Sequence, residues 1–199
     1  MAIASISAMK SFLSGGGVRA NQFTVELSFP STILSGNTAF APLQAQFLCN
    51  AAALPESSVD PTPVEYRGRT IFLAGERRFK PWTVRIINDT NFNIRDSFEI
   101  WSNYMNNNIN NTGAVNPSQY VADLAVTQMD RNNNVIKTYK FVDAWPAEVS
   151  DISLDYGDNN TVETFTVTFL YQYWVSNTTN NANGLGLELS TPIGIFPLI

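Results

Sequence analysis

The stretch TVETFTVTFLYQYWV (161–175) alternates apolar and polar side chains. Phe165, Val167, Phe169, Tyr171 and Tyr173 line one face, and Thr164, Thr166 and Thr168 fall on the other. A period of two marks extended backbone, whose successive side chains point to opposite sides. β-Branched and aromatic residues, which suit a pleated and half-buried surface, fill the stretch. A single strand of about 14 residues is well beyond the usual 5–6, so it is expected to reach past one compact sheet.

The same period recurs upstream. In NQFTVELSF (21–29) Phe23, Val25, Leu27 and Phe29 oppose Thr24, Glu26 and Ser28. In PWTVRIIND (81–89) Trp82, Val84 and Ile86 alternate with Thr83 and Arg85. QAQFLCN (44–50) reads as another short strand. VEYRGRTIFLAG (64–75) reads as a strand or hairpin arm in which Gly68 marks a bulge or close approach. YVADLAVTQM and VIKTYKFVDAW are strands joined by the turn-forming DRNNN, and EVSDISLDYG is a strand running into GDNN. One segment has helical spacing: Ile94, Phe98, Trp101 and Met105 of NIRDSFEIWSNYM form a stripe, with Asn93 as the expected N-cap and Asp96 and Glu99 near the N-terminal end. Residues 30–43, 55–63 and 106–116 read as loops. Residues 1–14 carry a mild helical pattern before Gly15-Gly16-Gly17, as an arm on a joint would.

These readings predict a mainly β protein: an antiparallel β-barrel or sandwich with one flanking α-helix and extended N- and C-terminal arms. The expected division is an arm over 1–18, a β domain over 19–175 with its helix near 93–106, and a linker with an apolar tail over 176–199.

Composition narrows the chemistry. The 199 residues are 44% hydrophobic, enough for a real core and too apolar for a disordered chain. Histidine is absent from the sequence, which removes Ser-His-Asp and Cys-His catalysis and the common zinc sites. Cys49 is the single cysteine and reads as a small buried hydrophobe. A net charge of −5 without a basic run does not suit tight nucleic-acid binding. No signal peptide or membrane anchor is expected from MAIASISAMK or from any apolar run. The Asn-x-Ser/Thr sequons at Asn88, Asn110, Asn159 and Asn177 arise readily in so Asn- and Thr-rich a chain.

In DISLDYGD (151–158), Asp151, Ser153 and Asp155 at alternate positions resemble a calcium loop. Counted from Asp151, the glycine required at position six and the glutamate required at twelve each arrive one residue late, as Gly157 and Glu163. Ile152 and Leu154 alternate with the acids, which is strand geometry. A strand with outward acids entering a turn is the expectation, so no catalytic, cofactor-binding or metal residues are assigned. Two rivals stay open: a hydrolase using Asp151, Asp155 or Asp158, and a carbohydrate-binding β-sandwich presenting Trp145 or Trp174.

The order of segments resembles the tail tube proteins of contractile-tailed, T-even-type bacteriophages. The resemblance is carried by RANQFTVELSF, FLCNAAALP, YRGRTIFLAGERRFKPWTVRIIND, RDSFEIW and KFVDAWPAEVSDISLDYGDNNTVETFTVTFLYQYW, covering roughly 19–175. It implies a β-barrel-like subunit that forms homo-hexameric rings, stacked into a hollow tube within a contractile sheath. The implied role is non-enzymatic: a virion component assembled in the bacterial host cytoplasm, meeting sheath, baseplate, tail terminator and tape measure proteins. DNA would pass through the lumen without sequence-specific binding. A tube of a phage-derived contractile injection system is the structural alternative. By motif match the resemblance makes Val64, Tyr66, Arg67, Arg69 and Ile71 inter-ring contacts. The apolar tail, with Leu185, Ile193, Ile195, Phe196 and Ile199, is expected to dock on its own or a neighbouring subunit, since such a segment is costly to leave in water.

Overall fold

In the computed structural model, described for residues 6–13, 16–34 and 41–179, the protein is built on antiparallel strands. In chain order the elements are α1 (Ile6–Phe12), β1 (Phe23–Leu27), α2 (Ala41–Leu48), β2 (Cys49–Ala52), β3 (Ser57–Tyr66), β4 (Arg69–Phe79) and β5 (Trp82–Ile87). They continue with α3 (Asn93–Met105), β6 (Ala122–Met129), β7 (Val135–Val149), β8 (Thr164–Leu170) and β9 (Tyr173–Ser176).

Seven strands form one sheet in the order β1-β6-β7-β8-β5-β2, with β9 also paired to β7. The sheet is creased along β7. Its first half pairs with β6 and β9, its second half with β8. The change of partner falls between Val142↔Tyr173 and Trp145↔Leu170. Asp143 there has φ 53, and its N–H donates to the Asp123 carboxylate at 3.2 Å. Such a kink re-aims a strand, and it lets β7 serve both layers of a sandwich. The path ends at β1 and β2, which are not paired to each other, so the subunit's sheet is not closed into a barrel.

The core lies between the layers and under α3. Ile94, Phe98 and Trp101 are fully buried, as the helical stripe requires. The Phe98 ring sits 5.1 Å from Phe29, 6.3 Å from Phe165 and 5.9 Å from Phe169. The indole N–H of Trp101 donates to the Tyr120 carbonyl at 2.6 Å. Trp82 stacks on Phe141 at 4.2 Å and donates to the Ala53 carbonyl at 2.7 Å, tying β5 to the end of β2.

Several expectations are corrected. The long alternating stretch is two strands, because the chain leaves the ladder at Tyr171-Gln172, opposite the crease in β7. QAQFLCN is mostly helix: Ala41 and Ala45, one turn apart, are buried, and strand begins only at Cys49. Three α-helices are therefore present among the described residues, not one, and the loop expected over 30–43 ends in the first turn of α2. Residues 57–63 belong to β3 despite Pro61 and Pro63, since a strand paired on one side only can spare their N–H groups. The strand through DISLDYG stops at Val149; beyond Ser150, Leu154 is exposed and no neighbouring strand is paired to the segment. Finally, the N-cap of α3 is Phe92 in the left-handed region, with Asp89 accepting from the Asn93 N–H at 3.4 Å.

Candidate assembly surface

Between β2 and β5 the chain departs from the main sheet and returns as a separate two-stranded hairpin, β3–β4. Its turn is Arg67-Gly68, with φ of 47 and 78, closed by the pair Tyr66↔Arg69. Positive φ at both central residues is the type I′ pattern, whose twist matches that of the strands; Gly68 is thus a turn residue and not a bulge. The bulge lies at Val59/Pro61, where a Cβ on Gly75 would come within 2.6 Å of the Asp60 carbonyl oxygen. Glycine permits that approach and with it the extra twist.

Register divides the hairpin's side chains between two faces. Val64↔Ile71, Tyr66↔Arg69 and Thr62↔Leu73 share one face; Pro63↔Phe72 and Glu65↔Thr70 share the other. Thr70 Oγ1 donates to Glu65 Oε1 at 2.7 Å on that second face. Along almost all of β4 the side chains are exposed: Phe72 is 69%, Leu73 55% and Ile71 49% accessible. A lone hairpin is marginal in water, and a run of exposed apolar side chains makes a soluble monomer prone to association.

The hairpin is anchored at its root. The Phe79 ring lies 6.1 Å from Tyr171 and 6.4 Å from Trp174. Tyr171 donates its hydroxyl to the Lys80 carbonyl at 2.8 Å, and burial pushes that hydroxyl's pKa up. Ion pairs Arg78–Asp60 and Lys80–Glu56 are solvent-exposed, so each contributes about 0–1 kcal/mol. Aromatic packing fixes the root and leaves the blade free.

Of the five residues assigned from the sequence, Val64, Tyr66, Arg69 and Ile71 lie on one face. Arg67 lies in the turn, its guanidinium 5.4 Å over the Tyr66 ring. Phe72 and Leu73 belong to the same exposed blade and were missed. The signal for them was IFL (71–73), consecutive apolar residues on a strand whose two faces are both open. The tail residues Leu185, Ile193, Ile195, Phe196 and Ile199 lie outside the described residues.

Among the described residues, the acids of the hydrolase alternative do not converge on one site. Asp151, Asp155 and Asp158 are exposed on a loop, where Asp155 Oδ1 accepts the Gly157 N–H at 2.8 Å and the Asp155 carbonyl accepts from Asp158 at 3.2 Å. Those are turn-forming bonds. Among the described residues no three Cys, Asp or Glu side chains converge as metal ligands would. Trp145 and Trp174 are half-buried and packed against the core. Burial pushes the Cys49 thiol up to about 11, which keeps it protonated at neutral pH, and its S–H donates to the Ala51 carbonyl at 3.6 Å. An open depression beside α3, lined by Asn103, Tyr104, Asn107 and Gln119 among others, holds no carboxylate, lysine or arginine.

A family model described as phage tail tube protein matches residues 18–177. The chain belongs to the phage tail tube protein family. This tail tube protein is 33% identical over 166 residues to tail tube protein gp19 of Enterobacteria phage T4, across 83% of this chain and 95% of that one. It is 30% identical over 167 residues to the tail tube protein of Serratia phage KSP90, across 82% and 91%. Among solved structures its fold is similar to a chain of the anti-feeding prophage baseplate (TM-score 0.58, 13% identity, 80% of this chain and 95% of that one). It is equally similar to a chain in the sheath/tube terminator of the extracellular contractile injection system PVC (TM-score 0.58, 13% identity, 80% and 96%).

Proposed function

We propose that this tail tube protein is a non-enzymatic structural subunit whose hexameric rings stack into the hollow inner tube of a contractile tail. The tube conducts viral DNA into the host, and the virion is assembled in the host cytoplasm. The observation that carries the reading is the β3–β4 blade, with large apolar side chains on both faces and no core to receive them. The edges at β1 and β2, each paired to one strand only among the described residues, add to it, because pairing with neighbouring subunits would satisfy their remaining backbone groups. Val64, Tyr66, Arg67, Arg69 and Ile71 make the contacts between rings, and the apolar tail over 185–199 docks on its own or a neighbouring subunit. Residues 1–18 and 176–199 act as arms on a ring-forming domain over 19–175.

The partners are the sheath, baseplate, tail terminator and tape measure proteins, with DNA passing through the lumen. The overall negative charge suits passage of a polyanion, since rows of lysine or arginine would hold phosphates. Similar folds in a six-fold symmetrised baseplate and in a sheath-tube terminator support the ring and its partners. They equally favour a second reading, the tube of a contractile injection system. Negative-stain microscopy of purified protein is the test. Hollow rings or tubes are expected; a monomer that persists across concentration and salt would overturn the proposal.

A further inference from the structure

The blade and the DISLDYGD loop stand at opposite ends of the same half-sheet. β5 and β8 pair from Trp82↔Phe169 to Ile87↔Thr164. The hairpin enters β5 at the Trp82 end and packs its root on Tyr171, just past Leu170. The loop between β7 and β8 leaves from the other end, beyond Val149↔Val167, where Asn88 donates its side-chain amide to Glu163 at 3.1 Å. The two protrusions thus leave the chain at opposite ends of this half-sheet.

Their chemistry is complementary. The tip of the blade carries Arg67 and Arg69 beside Tyr66 and Val64, and neither arginine is paired with a carboxylate of its own chain among the described residues. The loop carries Asp151, Asp155 and Asp158, likewise without an internal cation, interleaved with the exposed apolar side chains Leu154, Tyr156 and Val162. The blade, residues 57–79, holds four arginines against three acids in a chain whose remainder has eight bases against fourteen acids. A basic, apolar tip would be repelled by its own kind and attracted to the acidic, apolar loop.

We infer that the tip of β3–β4 in one copy docks on the 151–163 loop of a second copy, in a head-to-tail contact that repeats along a filament. The contact is heterologous, joining two different patches of the same chain, and a heterologous contact between opposite ends propagates instead of closing. It rests on the tube reading and names the partner surface of the blade. It also gives DISLDYGD a use: its alternating acids and apolar residues form a receptor for the arginine tip.

A charge swap tests it. Arg67→Asp with Arg69→Asp is expected to raise the concentration needed for tube assembly by about tenfold or more, and Asp155→Arg with Asp158→Arg to do the same. The protein carrying all four changes should regain most of the loss. A second arm uses Tyr66→Cys with Tyr156→Cys in a Cys49→Ala background, where mild oxidation should give a ladder of covalent oligomers. Wild-type tubes with no rescue in the four-fold variant and no ladder would overturn the pairing while leaving the tube standing. Failure of the wild-type protein to form rings or tubes would overturn both.

Discussion

Trp101 shows how one side chain joins helix, loop and core. Its ring lies 5.4 Å from Phe29 and 6.4 Å from Phe169, while its N–H reaches the Tyr120 carbonyl, just after a 3-10 turn over Pro117–Gln119. Trp101→Phe keeps an aromatic ring but leaves that carbonyl without its donor, so a loss of about 1–3 kcal/mol is expected. Thermal melting will show it as a midpoint lowered by several degrees, and an unchanged midpoint would mean the bond contributes nothing. Asp130 offers a pH-dependent counterpart. It holds the β6–β7 turn by accepting from the Asn134 side chain at 3.0 Å and from the backbone N–H groups of Asn134 and Asn132 at 2.8 and 2.7 Å. The Asn134 side-chain bond first, with the backbone bonds, holds the carboxyl below its ordinary value. A depressed folded pKa means that this stabilisation is full above the unfolded value of about 3.9 and disappears as pH falls through the folded one. NMR titration should place the Asp130 midpoint below that of an unstructured aspartate, with the hydrogen bonds of the turn amides lost as pH falls through that midpoint. The turn was legible in DRNNN, because Asp and Asn are residues that bond their own backbone. The cap of α3 was not, because Asn93 suits an N-cap by type while Phe92 occupies it through a left-handed backbone that no side-chain preference announces.

Among the elements, legibility followed how many layers touch each one. β5 and α3 each face a single core, and their buried positions match the sequence period: Trp82, Val84 and Ile86 in one, Ile94, Phe98 and Trp101 in the other. α2 was hidden because its diagnostic pair, Ala41 and Ala45, straddles the start of the window that reads as strand, and neither residue is bulky enough to mark a face. β3 was hidden because Pro61 and Pro63 argue against a central strand, and nothing local shows that this strand has one neighbour only. Its independence carries a consequence for stability. Replacing residues 55–80 by a short glycine-serine linker removes the Phe79 contacts and the Lys80–Tyr171 bond but no member of the buried core. The shortened protein should stay folded, with its melting midpoint within about 5–8 °C of the parent, while losing the ability to form tubes. Collapse of the fold on excision would show instead that the hairpin is part of the subunit's own stability.

For the whole molecule, the class of fold was readable from alternation, while the crease was not. Tyr171 and Tyr173 continue the apolar face of Phe165, Val167 and Phe169 without a break in period, so nothing in the pattern announces that the chain changes layers between them. The crease is imposed from across the ladder, by the left-handed Asp143 in β7. Phe79 packs on the two aromatic residues that flank this break, Tyr171 before it and Trp174 after it. The blade therefore stands on a fulcrum. A push or twist delivered to its tip arrives where both layers share their backbone, and is divided between them instead of peeling one strand from the other. Subunits joined in this way would bear axial load as a stiff column.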